Sequence, residues 1–143
     1  MKKEYEKIIE YRSLGEIHIY IGISKSDNIF SDNEKHKILY CASKSEIIGG
    51  HREIEEEINK RINQDIIAIF NEEKFNNWSA TDHLNFAMSL LNKAKDISTW
   101  SIDNLFEKIE KSLQSIAELD EYSIKESRFI KKIKSNLLNL ENN

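Results

Sequence analysis

Apolar side chains recur every three to four residues along most of this 143-residue chain, which is the spacing of one helical face. There is no proline and there are only four glycines, so the strongest helix breakers are nearly absent. The pattern predicts helices at 3–11, 32–48, 51–71, from a cap at Ser79 to a loop at 97–101, at 102–119 and at 124–140. A further loop is predicted at 75–78.

The run from 14 to 26 fits two patterns. Isoleucine occupies every second position from 17 to 23, as in a strand, but Leu14, Ile17, Ile21 and Ser24 also line one helical face. No second strand-like run exists in the sequence to pair with it, and an unpaired strand cannot satisfy its backbone. We therefore predict a helix here, and a strand paired in a sheet would refute the predicted fold.

Two short acidic stretches, 27–34 and 120–126, share one arrangement. In each, an Asp ends an apolar run, an aromatic residue precedes a Ser, and a Glu follows that Ser by three. Ser-x-x-Glu before an apolar run is the capping box of a helix N-terminus. The matched positions are Phe30 and Tyr122, Ser31 and Ser123, Glu34 and Glu126, Ile38 and Ile130, and Cys41 and Ile133. The pattern predicts a compact all-α bundle of six or seven helices with an internal repeat of helix, acidic turn and helix.

These carboxylates have two interpretations. Asp27 and Asp120 are ordinary turn formers, and Glu34 and Glu126 complete capping boxes, roles that need no ligand. An Asp and a Glu across a short turn also bring carboxylate and carbonyl oxygens together, and Ca²⁺ or Mg²⁺ favours such ligands. Both interpretations stay open at the level of the sequence.

The acidic turns resemble those of the tellurite-resistance TerB-like family. That family has an apolar helix ending in Ala-x-Ala-Asp-Gly, a short acidic turn, and a Glu that opens the next helix. Here 23–28 and 116–121 stand at the two corresponding places, and the resemblance spans about 14–138. It implies a single TerB-like domain over 1–143 and a divalent-cation or partner-binding surface at Asp27, Glu34, Asp120 and Glu126.

The family glycine after each Asp is replaced here by Asn28 and Glu121. Asn adopts positive φ far more readily than Glu does. We therefore expect Asp27 and Glu34 to form the better of the two cation sites.

Other chemistry is poorly represented. The sequence contains no Gly-rich phosphate loop and no nucleophile motif with a plausible base, so no enzyme is predicted. His18 lies in an apolar run and is expected to be a core or boundary histidine rather than a base. Cys41 falls on the inward stripe of its helix and is expected to be buried. The last helix is basic, but its single nearby aromatic, Phe129, and the net charge of −4 favour a solvated face over nucleic-acid binding.

The expected function is therefore binding. The single cysteine, Cys41, and the lack of a long apolar stretch predict a cytoplasmic protein without a signal peptide or membrane span. The resemblance implies a small adaptor module with a protein partner, acting in tellurite or chemical stress or in defence, with Ca²⁺ or Mg²⁺ as the expected cation. The alternative is an immunity- or antitoxin-like protein that binds a toxin through its acidic surface without metal.

Overall fold

The computed structural model of the protein describes residues 2–26, 30–43, 60, 64, 67–120 and 124–142. Its helices are α1 (Lys2–Lys25), α2 (Asp32–Ser43), α3 (Glu73–Asn76), α4 (Ala80–Ile97), α5 (Leu105–Ala117) and α6 (Ile124–Asn142). Residues 60, 64 and 67–71 are also helical, and 3-10 turns cover Thr99–Ile102 and Glu118–Asp120. No strand occurs in these ranges, and the predicted all-α bundle is confirmed.

Helix α1 lies at the centre of the bundle. It packs most extensively along α4 and also contacts α2, α5 and α6. Every residue from Gly15 to Ser24 is buried, so this segment has no solvated face. A helix that is apolar all round is typical of a core position. Because each face of this segment meets a neighbouring helix, apolar residues are needed on all its sides. The isoleucines at every second position from 17 to 23 therefore produce the alternating pattern of a strand within a helix.

Two glycines let the other helices approach α1 closely. A Cβ atom on Gly15 would lie 2.9 Å from Cγ and Cδ2 of Leu91 in α4. A Cβ atom on Gly22 would lie 3.1 Å from the Phe129 ring in α6 and 3.3 Å from the carbonyl oxygen of Ala80. Side chains at these positions would push α4 and α6 outward, so the glycines set the spacing of the bundle.

Capping boxes begin two of the helices. The Glu34 amide donates to Ser31 Oγ at 3.2 Å, and the Ser31 amide donates to Glu34 Oε1 at 3.0 Å. At α4, the Asp82 amide donates to Ser79 Oγ at 3.1 Å and the Ser79 amide to Asp82 Oδ2 at 2.9 Å. Both boxes were predicted from local spacing, and both are confirmed.

Some predicted boundaries are wrong. The predicted helix at 3–11 and the run at 14–26 form one continuous helix, because the intervening residues Arg12 and Ser13 are buried within it. The predicted loop at 75–78 contains the end of α3, whose Phe75 is buried. The helix predicted from 102 begins at Leu105, after the 3-10 turn Thr99–Ile102.

Other predictions fall on undescribed residues. The helix end predicted at Gly49 and Gly50, and most of the helix predicted at 51–71, lie outside the described residues. Among the described helices, none is long and apolar enough to cross a membrane.

Candidate functional site

The first acidic turn joins α1 to α2. Asp27 lies outside the described residues, whereas Glu34 is buried in the first turn of α2 with 1% of its surface exposed. Its Oε1 accepts hydrogen bonds from the Ser31 amide at 3.0 Å and from Ser31 Oγ at 3.2 Å. One oxygen of Glu34 is therefore occupied by the helix cap, as the cap-and-turn interpretation expects.

The second acidic turn joins the 3-10 turn Glu118–Asp120 to α6. The backbone of Asp120 ends that 3-10 turn, but its side chain lies outside the described part of the structure, as does Ser123. Glu126 is buried in the first turn of α6 with 1% exposure. Any contact between the side chains of Asp120 and Glu126 therefore lies outside the described residues.

The matched positions of the two stretches share the same burial. Glu34 and Glu126 are both buried at the start of a helix, one turn before a buried isoleucine, Ile38 or Ile130. One turn further on, Cys41 and Ile133 are also buried. The pairing inferred from sequence therefore holds for the environment of each described pair, and the prediction of a buried Cys41 is confirmed.

Within the described residues, no group of three or more His, Cys, Asp or Glu side chains could hold a metal ion. Asp27 and the Asp120 side chain fall outside that search. Of the four predicted ligands, Glu34 and Glu126 are thus placed in the interior at helix starts, whereas the positions of Asp27 and of the Asp120 side chain lie outside the described residues.

A separate polar cluster lies where α1 ends against the segment between α3 and α4. Lys25 Nζ donates to the carbonyl oxygens of Phe75 at 2.6 Å and Trp78 at 3.3 Å, and it lies 2.9 Å from Nε2 of His83. An ammonium has three donors and no acceptor, so these three partners satisfy it completely. Lys25 thereby ties the end of α1 to the chain that enters α4.

The same contact assigns the tautomers of two buried imidazoles. Because Lys25 can only donate, His83 Nε2 accepts and the proton of His83 is on Nδ1. His83 Nδ1 lies 3.0 Å from Nδ1 of His18, so it donates there, and His18 carries its own proton on Nε2. The result is a hydrogen-bonded chain from Lys25 through His83 to His18, which requires both imidazoles to be neutral.

The surroundings of both imidazoles favour the neutral form. Burial, followed by the positive charges of Lys25 and Lys74, lowers the pKa of His18 from 6.5 to about 4. Burial, followed by Lys25 and His18, lowers the pKa of His83 from 6.5 to about 3. Burial also lowers the pKa of Lys25 itself. Because Lys25 is only partly buried and the Asp82 carboxylate favours its charged form, we assign Lys25 as the protonated member of the cluster.

Aromatic rings enclose this cluster. His18 packs edge-on against Phe75 and Phe86, with ring centroids 5.3 and 4.8 Å away, and Trp78 lies 5.3 Å from both His83 and Phe86. Phe86 is partly exposed and Trp78 half-buried, so the aromatic cluster reaches the surface. The rings shield the buried imidazoles from water, which favours their neutral form.

A cleft opens beside this cluster. It has a volume of about 410 Å³ and is lined by Lys25, Ser26, Phe30, Asn76, Trp78, Ser79, Ala80 and Thr81. We call it the Trp78 cleft. Because Lys25 and Phe30 lie on either side of residues 27–29, the cleft adjoins the first acidic turn.

Sequence reasoning missed this cluster. His18 was predicted to be a core or boundary histidine, and its burial places it in the core, but His83 and Lys25 were not singled out. His83 does precede Leu84 on the buried stripe of α4, a signal that a polar partner was needed in the interior. Its partner lies 58 positions away in the chain, which local spacing cannot reveal.

Comparison of the chain with protein-family models, with curated proteins and with solved structures found no match.

Proposed function

We propose that this protein is a small, non-enzymatic binding module of TerB type that engages a protein partner and takes up Ca²⁺ or Mg²⁺ at its acidic turns. We further propose that it acts in the cytoplasm, either in the response to tellurite or other chemical stress or in defence. The observation that carries it is the matched burial of Glu34 and Glu126, each in the first turn of a helix that follows an acidic turn.

Repetition of that arrangement supports a binding role. A cap can be made by Ser with Asp, as Ser79 and Asp82 make it at the start of α4, where Asp82 is exposed. Glu34 and Glu126 are instead drawn into the interior beside an Asp-led turn. A buried carboxylate is costly unless hydrogen bonds or a cation compensate it. Hydrogen bonds from Ser31 already compensate Glu34 in part, and a cation at the turn, with the Asp as a further ligand, would add to them.

A second candidate is binding of a protein partner without metal, as in immunity or antitoxin proteins. One observation favours it: Oε1 of Glu34 already accepts two hydrogen bonds from Ser31. If the cap is the whole role of Glu34, the acidic surface acts on a partner directly. The net charge of −4 is compatible with a basic partner.

A thermal-stability experiment separates these candidates. A cation that binds the folded chain raises its melting temperature by mass action. We expect millimolar Ca²⁺ or Mg²⁺ to raise the melting temperature, and Asp27→Asn to reduce that rise more than Asp120→Asn, because Asn28 tolerates the turn geometry better than Glu121.

Asp96→Asn is the matched control. Asp96 is an exposed carboxylate on α4, away from both turns in sequence, so the variant removes the same charge elsewhere. It should retain the full rise. If all three variants lose the rise in melting temperature equally, the cation acts by nonspecific screening of charge. If the cation does not raise the melting temperature of the parent protein, the candidate that binds a partner without metal is supported instead.

A further inference from the structure

A cationic groove lies between α6 and the start of α4. It has a volume of about 300 Å³ and is lined by Ser26, Ala80, Thr81, Lys125, Arg128, Phe129 and Lys132. We call it the basic groove. Its volume is at the lower end of the range for small-molecule sites. Among the described residues, no acidic side chain lines it, although the protein as a whole carries a net charge of −4.

The three cations of the groove share one face of α6. Lys125 and Arg128 are three residues apart, Arg128 and Lys132 four, and all are exposed. Like charges at these spacings repel and destabilise a helix. In the described part of the chain, no carboxylate forms an ion pair with any of them, and Lys132 instead donates to Thr81 Oγ1 at 3.1 Å. A bound anion would relieve this repulsion.

The basic groove adjoins the Trp78 cleft. Ser26, Ala80 and Thr81 line both, so the two cavities meet along the start of α4. Two aromatic rings, Trp78 and Phe30, also line the cleft. A planar, partly apolar group would pack there, while an anionic group attached to it would reach the cations of α6.

The backbone at the start of α4 adds little to anion binding. The Ser79 and Asp82 amides are already used by the capping box, and the Asp82 carboxylate faces the helix start. Lys25 is also committed, since its three donors are satisfied. We therefore expect Lys125, Arg128 and Lys132 to bind the anion. Guanidinium groups in particular match phosphate geometry with paired hydrogen bonds.

We propose that the basic groove and the Trp78 cleft together bind a nucleoside phosphate, with its phosphates on Lys125, Arg128 and Lys132 and its base against Trp78 and Phe30. This site is separate from the cation proposal, because it uses neither Asp27 nor Glu34.

The test is isothermal titration calorimetry of the full chain at low ionic strength and without divalent cations. Adenosine 5′-diphosphate, inorganic phosphate and adenosine are the three probes. We expect the diphosphate to bind more tightly than either fragment, since only it occupies both cavities. Arg128→Gln and Lys132→Gln should each weaken it about tenfold, the loss of one charge-assisted hydrogen bond.

Lys131→Gln is the matched control, because Lys131 is an exposed cation of the same helix that does not line the groove. It should bind the diphosphate as the parent does, and melting curves would verify that every variant is folded. Failure of the diphosphate to bind, or an equal loss in Lys131→Gln, overturns the proposal. Inorganic phosphate binding as tightly as the diphosphate overturns the assignment of a nucleoside ligand. Because divalent cations are absent, none of these results depends on the uptake of a cation at the acidic turns.

Discussion

Lys25, the last residue of α1, contacts both a buried imidazole and a surface cleft. Lys25 satisfies two carbonyl groups of the segment before α4 and one imidazole, and the same side chain lines the Trp78 cleft. The Phe75 carbonyl also accepts from the Trp78 amide at 3.2 Å, so the ammonium adds a charge-assisted hydrogen bond to a turn that is already hydrogen-bonded and stabilises it further. The wall of the cleft is therefore fixed by the same contacts that hold α1 to α4.

The two imidazoles predict a specific pH dependence of stability. Both are neutral in the folded state and have pKa values of about 4 and about 3, whereas the unfolded chain protonates them near 6.5. Below pH 6.5 the unfolded state therefore binds more protons, and the free energy of unfolding falls until the folded pKa values are reached. At pH 5 we expect a loss of about 2 kcal/mol for each imidazole.

Denaturant unfolding at a series of pH values between 5 and 7 measures this loss. The double variant His18→Leu/His83→Leu should show a much flatter dependence in that range. Leu84→Ala is the control, because it also perturbs the buried face of α4 but keeps both imidazoles. It should be less stable at every pH with the slope of the parent. An unchanged slope in the double variant would contradict the assignment of neutral imidazoles.

Among the helices, the distance between α1 and α4 depends on the absence of a side chain at Gly15. Alanine is the better helix former by about 1 kcal/mol, yet a Cβ atom on Gly15 would lie 2.9 Å from the fully buried Leu91. We expect Gly15→Ala to destabilise the protein by about 1–3 kcal/mol, the usual cost of an overpacked core. Chemical denaturation of the parent and the variant measures the difference.

A second substitution checks that the cause is packing. Leu91→Ala alone should cost about 2–5 kcal/mol through the cavity that it leaves. In the double variant Gly15→Ala/Leu91→Ala the added methyl group has room. The free energy of unfolding of the double variant should therefore fall by less than the sum of the losses in the two single variants. Strict additivity would show that Gly15 does not limit the approach of α4.

At the scale of the whole molecule, the sequence predicts what depends on local spacing. The all-α class follows from helical periodicity, and the boxes at Ser31 and Ser79 follow from residues three apart. The second half of α1 was ambiguous because residues 15–24 are buried on every side, so its apolar pattern has no solvated face to reveal the period. The cluster of Lys25, His83 and His18 could not be predicted, since its members are far apart in sequence and meet only through the packing of α1 on α4.

The same distinction applies to the candidate sites. The acidic turns were found because each is a local motif, and burial of Glu34 and Glu126 agrees with their matched positions. The basic groove joins residues of three distant segments, at 26, 80–81 and 125–132. In the sequence its cations look like an ordinary solvated helix face, because only the fold places Thr81 and Ser26 opposite them.

Amide NMR during a Ca²⁺ or Mg²⁺ titration shows whether the acidic turns bind a divalent cation. We predict saturable shift changes at residues 27–34, with smaller ones at 120–126, because the first turn has the more permissive backbone. Asp27→Asn should abolish the changes at 27–34. If neither ion moves these amides while the protein stays folded, the turns are caps alone, and the proposal of cation binding is contradicted.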